Sequence, residues 1–165
     1  MPLVVFDLEG TIFVRGQDGR YAAPEGLRAC LDAWAPSPVL CAIATRASRR
    51  RALVALNSQN LTAYFLALMT ADDGPSKPHP FGLERVMAEA GTRPDETVMV
   101  GDTDDDMIFG RNAGVLPIGV TWSGASSTAL THAGAGAVVG SVQALRHQVE
   151  THFGLARGPE VSHDA

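Results

Sequence analysis

The sequence predicts an α/β fold: one doubly wound, Rossmann-like domain with a mainly parallel sheet, helices on both faces and no cap domain. Three observations lead there. Short β-branched apolar runs alternate with segments of helical spacing, and single helices between strands imply parallel pairing through crossovers. Asp7, Thr45 and Asp102 each follow directly on an apolar run, so they share the carboxyl edge of the sheet, where open α/β sheets bind ligands. The 165 residues fall within the ~100–200 usual for one domain.

Strands are expected over residues 2–6, 39–44, 67–70, 97–100 and 116–121, with a weaker one at 137–139. The first helix is expected over 24–34, with proline at its start and Leu27, Leu31 and Trp34 on one stripe. A second spans 48–57, with Leu53, Val54 and Leu56 as its apolar face. A third spans 80–90 and stops at Gly91; a fourth spans 104–112 and stops before Gly114. The last spans 142–153. A short flap is expected near 12–21, the domain over 1–153, and a disordered tail over 154–165, where periodicity is lost.

Composition excludes several classes. With 45% hydrophobic and 19% charged residues, the chain is neither a disordered segment nor a membrane protein. Its apolar runs are strand-length, far short of the ~20 residues that cross a bilayer. A net charge of −5 speaks against general nucleic-acid binding. Cys30 and Cys41 lie among apolar neighbours without metal-ligand spacing, and no basic leader precedes Val4. A cytoplasmic setting is therefore expected. Twelve of thirteen basic residues are arginine, so Lys77 is the sole lysine.

Four motifs carry chemistry. In Asp7-Leu8-Glu9-Gly10-Thr11, two carboxylates flank one residue at a strand end. One can attack phosphorus, and the other can protonate a leaving alcohol and then deprotonate water. In Gly101-Asp102-Thr103-Asp104-Asp105-Asp106, a strand-end aspartate and one four residues on suit Mg²⁺, which takes a few oxygen ligands plus water and substrate phosphate. Asp104 and Asp105 sit in a first helical turn, where acids favour the helix dipole without a ligand. An EF-hand is rejected, since Met107 and Ala113 stand where its glycine and glutamate belong. Thr45 reads either as a phosphate-binding hydroxyl or as a helix N-cap. Lys77-Pro78 precedes a helix. Asp7, Asp102 and Asp106 carry −3, which one Mg²⁺ and Lys77 would balance. Arg46 is a candidate for phosphate binding. With Arg49, Arg50 and Arg51 it reads as a reader of a second anionic group, a polynucleotide contact, or a solvated helix face.

In order, these motifs resemble the haloacid dehalogenase-like hydrolase superfamily, mostly Mg²⁺-dependent phosphatases and phosphotransferases, and its phosphoglycolate-phosphatase-like branch through Gly119-Val120-Thr121-Trp122. The likeness spans roughly residues 2–145. It implies Asp7 as nucleophile and metal ligand, and Glu9 as general acid/base with its carbonyl on the metal. It implies Thr45 and Lys77 on the phosphoryl group, Asp102 on the metal, and Asp106 on it directly or through water. Asp105 is a further neighbour. Position 9 is glutamate where the family usually has aspartate; enolase-phosphatase-like members resemble this chain in carrying D-x-E-G. The expected activity is Mg²⁺-dependent phosphomonoester hydrolysis through phospho-Asp7. The alternative is a degenerate member serving as a binding or scaffolding module. A receiver domain is rejected, because its acidic pair precedes its acceptor. Without a cap the site is open, which suggests a phosphorylated small molecule, the exposed phosphate of a larger one, or a second subunit as lid.

Overall fold

A computed structural model describes residues 1–155; the rest of the expected tail, 156–165, lies outside the described residues. Six parallel strands form the main sheet in the order β5-β4-β1-β6-β7-β8. They are β1 (Leu3–Phe6), β4 (Leu40–Ala44), β5 (Leu68–Met69), β6 (Thr97–Gly101), β7 (Leu116–Val120) and β8 (Ala137–Val139). A separate antiparallel hairpin pairs β2 (Val14–Arg15) with β3 (Tyr21–Ala22). No cap domain interrupts the described residues, and no helix in them is long and apolar enough to cross a membrane.

Period-two alternation builds both faces. Val4 and Phe6 of β1 join Val98 and Val100 of β6 on one side, under α1 (Leu27–Trp34), α2 (Arg49–Ser58) and α6 (Val142–His152). Leu3 and Val5 join Met99 on the other, under α3 (Phe81–Ala90) and α4 (Asp104–Asn112). Chain order reverses at β1, which has β4 on one side and β6 on the other, so the crevice of a doubly wound sheet opens there.

The elements differ from expectation in three places. The first helix starts at Leu27, because Gly26 holds a left-handed φ of 84° and no helix can run through it. Helix α2 is capped by Ser48, whose side chain accepts from the Arg51 amide; Thr45 is therefore not the cap. Helix α5 (Ser127–His132) was not expected, since six residues with one buried leucine, Leu130, give no readable period. Leu130 packs so close to β7 that a Cβ at Gly119 would lie 3.0 Å from its Cδ1 and 3.2 Å from its Cβ. Gly119→Ala is expected to cost about 1–3 kcal/mol through overpacking, measured by urea unfolding.

Candidate active site

Each candidate residue leaves the sheet at the same edge. Asp7 follows β1 and continues its ladder, donating its amide to the Val100 carbonyl at 2.8 Å. Thr45 follows β4, Asp102 follows β6, and Asp106 lies in the first turn of α4. Lys77 comes from the loop before α3 and reaches into the crevice. Its Nζ donates to Asp7 Oδ1 at 2.7 Å, to Asp106 Oδ1 at 2.7 Å and to the Ala44 carbonyl at 3.1 Å. All three ammonium donors are thereby used. Asp7, Lys77 and Asp106 are buried together.

Two glycines let the acids close in. Gly10 has φ +86°, and a Cβ there would lie 2.0 Å from Asp102 Oδ2. A Cβ at Gly101 would lie 2.3 Å from Asp106 Oδ2. As a result, Asp7, Asp102 and Asp106 bring carboxylate oxygens within 4.8 Å of one another. Three carboxylates against one ammonium leave an excess of negative charge that favours a cation.

The donor set is hard oxygen, as Mg²⁺ prefers. Asp102 fits such a role, since its Oδ1 is buried without a hydrogen-bond partner while Oδ2 accepts from Ser123 Oγ at 2.8 Å. Asp106 differs. Its Oδ1 is taken by Lys77, and its Oδ2 accepts from Thr103 Oγ1 at 2.9 Å and from the amides of Asp102 and Thr103 at 3.2 Å each.

Electrostatics agree with geometry. Burial pushes the Asp7 carboxyl up to about 7, against the pull of Lys77 and with the push of Asp106. Burial likewise raises Asp102. Because Asp7 titrates higher folded than unfolded, its contribution to stability is full below about pH 4 and is lost as pH climbs through about 7. A cation binding the ionised carboxylate reverses that loss. A trio that holds Mg²⁺ would therefore give a Tm gain near zero at about pH 5 and of several degrees at about pH 8, from ~2–4 °C per kcal/mol. Differential scanning fluorimetry at the two pH values checks it.

The remaining expected residues lie around this centre. A cavity of about 150 Å³ is lined by Asp7, Glu9, Thr45, Arg46, Lys77 and Asp105, among others. Thr45 Oγ1 accepts from the Ala47 amide at 3.0 Å. Arg46 is braced at the rim, donating to the Lys77 carbonyl at 2.5 Å and pairing with Asp105. Asp105 is thus engaged by arginine and stands outside the carboxylate trio. The Glu9 side chain is 56% exposed and meets Arg51 at 3.0 Å. Arg49 instead ties α2 to Asp73 at 2.9 Å. Cys30 and Cys41 are buried thiols, each pushed up to about 12 by burial, and stand apart from this chemistry.

Sequence reasoning missed Thr103 and Ser123. Thr103 forms a reciprocal capping box with Asp106, a pattern readable from its three-residue spacing. Ser123 adjoins the Gly119-Val120-Thr121-Trp122 segment, and Trp122 donates its indole N–H to the Thr11 carbonyl at 3.0 Å. That bond ties the Ser123 loop to the first motif.

Comparison with known proteins identifies the family and its fold. The model of the haloacid dehalogenase-like hydrolase family matches residues 16–120, a stretch that holds Thr45, Lys77, Asp102 and Asp106 but begins after Asp7 and Glu9. The pyrophosphatase PpaX of Anoxybacillus flavithermus is 35% identical over 82 residues, which are 49% of this chain and 38% of that protein. The chain thus matches well under half the length of that relative. A haloacid dehalogenase-like protein of unknown function from Agrobacterium tumefaciens has a TM-score of 0.70 at 28% identity, covering 79% of this chain and 61% of the other. A hydrolase from Pseudomonas syringae shares the fold at a TM-score of 0.80 and 17% identity, over 92% of this chain and 99% of that one.

Proposed function

Because the chain belongs to the haloacid dehalogenase-like hydrolase family, we propose that it is a Mg²⁺-dependent phosphomonoesterase acting through an aspartyl-phosphate on Asp7. One observation carries the reading. The sole lysine bridges the two buried members of a three-carboxylate cluster, and the third keeps an unpartnered buried oxygen.

Asp7 attacks phosphorus through a carboxylate oxygen, and the bond from phosphorus to the ester oxygen breaks. The leaving oxygen takes its electron pair and a proton from Glu9. A water then gives a proton to the Glu9 carboxylate and attacks the phosphoryl group. The bond to Asp7 breaks, releasing orthophosphate and restoring the carboxylate. Lys77 holds Asp7 in line and faces the phosphoryl oxygens, with Thr45 and Arg46 at the rim. Asp7, Asp102 and the Glu9 carbonyl would hold the cation, which neutralises charge on the phosphoryl oxygens when bound. Asp106, with both oxygens already engaged, supports it through Lys77 or water.

Residues 1–153 would act as one catalytic domain with residues 12–21 as its flap. The name of the PpaX relatives adds pyrophosphate to the candidate substrates. The test is hydrolysis of p-nitrophenyl phosphate and of pyrophosphate, with Mg²⁺ and with EDTA. Turnover that needs the metal supports the reading. Mg²⁺-induced stabilisation without turnover of any ester in a broad panel would favour a binding module, a reading consistent with the Glu9 carboxylate being occupied by Arg51.

A further inference from the structure

A second, larger cavity of about 470 Å³ adjoins the carboxylate centre, and Glu9 lines both. Its walls are the flap and α2. Leu8, Phe13, Tyr21 and Val54 make it apolar, while Arg50 and Arg51 bring two positive charges to it. The volume falls within the ~300–1,000 Å³ usual for small-molecule sites, which pair apolar walls with a few polar groups. Tyr21 is 55% exposed and Val54 64% exposed, although both are large and apolar. Such residues side by side, next to a reactive centre, offer surface that a ligand would cover. The Arg50 side chain has no hydrogen bond or ion pair among the described residues. Arg51 has Glu9 as its partner, on a side chain 73% exposed.

Resting on the phosphatase reading, we propose that this cavity receives the leaving group, and that the preferred substrate is a phosphate ester of an apolar body bearing a second anionic group. Phosphorus sits at Asp7, so the ester oxygen lies toward Glu9 and the rest of the molecule extends between flap and α2. The apolar body packs on Phe13, Tyr21 and Val54. Its anionic group pairs with Arg51, with Arg50 beside it. Arginine suits this role because its planar fork binds a carboxylate in two parallel hydrogen bonds. The substrate anion replaces Glu9 as the partner of Arg51, which frees the Glu9 carboxyl for the ester oxygen. Phosphate esters of small uncharged alcohols lack both features and leave the Glu9–Arg51 pair in place.

The test compares kcat/KM for 4-carboxyphenyl phosphate and phenyl phosphate in Mg²⁺, for the wild type and Arg51→Ala. The wild type is expected to prefer the carboxylated ester by about 10–100-fold, the scale of one charge-assisted hydrogen bond. Arg51→Ala is expected to bring that ratio toward one, and Arg51→Lys to restore part of it. No preference in the wild type, or an equal ratio in Arg51→Ala, overturns the proposal while the phosphatase reading stands. If neither ester turns over, the phosphatase reading is decided by the broader substrate panel above. The cavity is then tested by titrating 4-carboxyphenyl phosphate while following the Val54 methyl and Tyr21 ring NMR signals. Shifts at both that vanish in Arg51→Ala support the site, and no shift at either overturns it.

Discussion

Asp7→Asn is expected to lower turnover by about 10⁴-fold or more, on the scale of losing a catalytic nucleophile, while leaving the fold intact. The amide is nearly isosteric with the carboxylate but does not form a phosphoryl ester. The structure also gives a sign for stability. Asp7 is a buried acid crowded by Asp106 and Asp102, and burial is the largest influence on its titration. Removing its charge relieves that crowding, and Lys77 keeps Asp106 as a partner at 2.7 Å. Equal or higher Tm is therefore expected at about pH 8, together with a smaller stabilisation by Mg²⁺. Lost activity with a Tm many degrees lower would mean that Asp7 is chiefly a structural acid.

Lys77→Ala is expected to be the most destabilising single change at the site. It takes the one ammonium from a cluster of three carboxylates and strands the buried Asp7 and Asp106 charges. Breaking a buried pair by removing one partner costs about 3–5 kcal/mol, a large share of the ~5–15 kcal/mol that holds a domain folded. No arginine replaces it, because the Lys77 side chain is buried and its three donors meet three separate acceptors. A second change distinguishes charge from packing: Lys77→Ala with Asp106→Asn is expected to recover part of the loss, since one stranded charge is gone. Urea unfolding of both variants, with and without Mg²⁺, measures the coupling. A loss under about 1 kcal/mol for Lys77→Ala would contradict the electrostatic account.

The centre was legible in the sequence because a doubly wound fold converts strand ends into neighbours. Asp7, Thr45 and Asp102 each follow an apolar run, so topology alone places them at one edge. Lys77 was legible through charge and rarity, while its pairing with Asp106 beside Asp7 came only with the structure. What stayed hidden depends on side-chain geometry across elements. The Glu9–Arg51 pair joins residues 42 apart in sequence, and no spacing announces it. Ser123 sits in a loop whose register on Asp102 is set by Trp122 meeting Thr11. The distribution of the arginines was equally unreadable: Arg46, Arg49 and Arg51 each find a different acid, Asp105, Asp73 and Glu9. Helix α5 escaped because its six residues bury only Leu130.

On the proposed mechanism phosphorus passes through Asp7. Acid quenching of the enzyme during turnover of p-nitrophenyl phosphate in Mg²⁺, followed by peptide mass spectrometry, reads this directly. An acid-stable, hydroxylamine-labile phosphoryl group is expected on the peptide containing Asp7, absent in Asp7→Asn. Full turnover with no phosphoryl group on that peptide at any quench time, and with activity retained in Asp7→Asn, would contradict it.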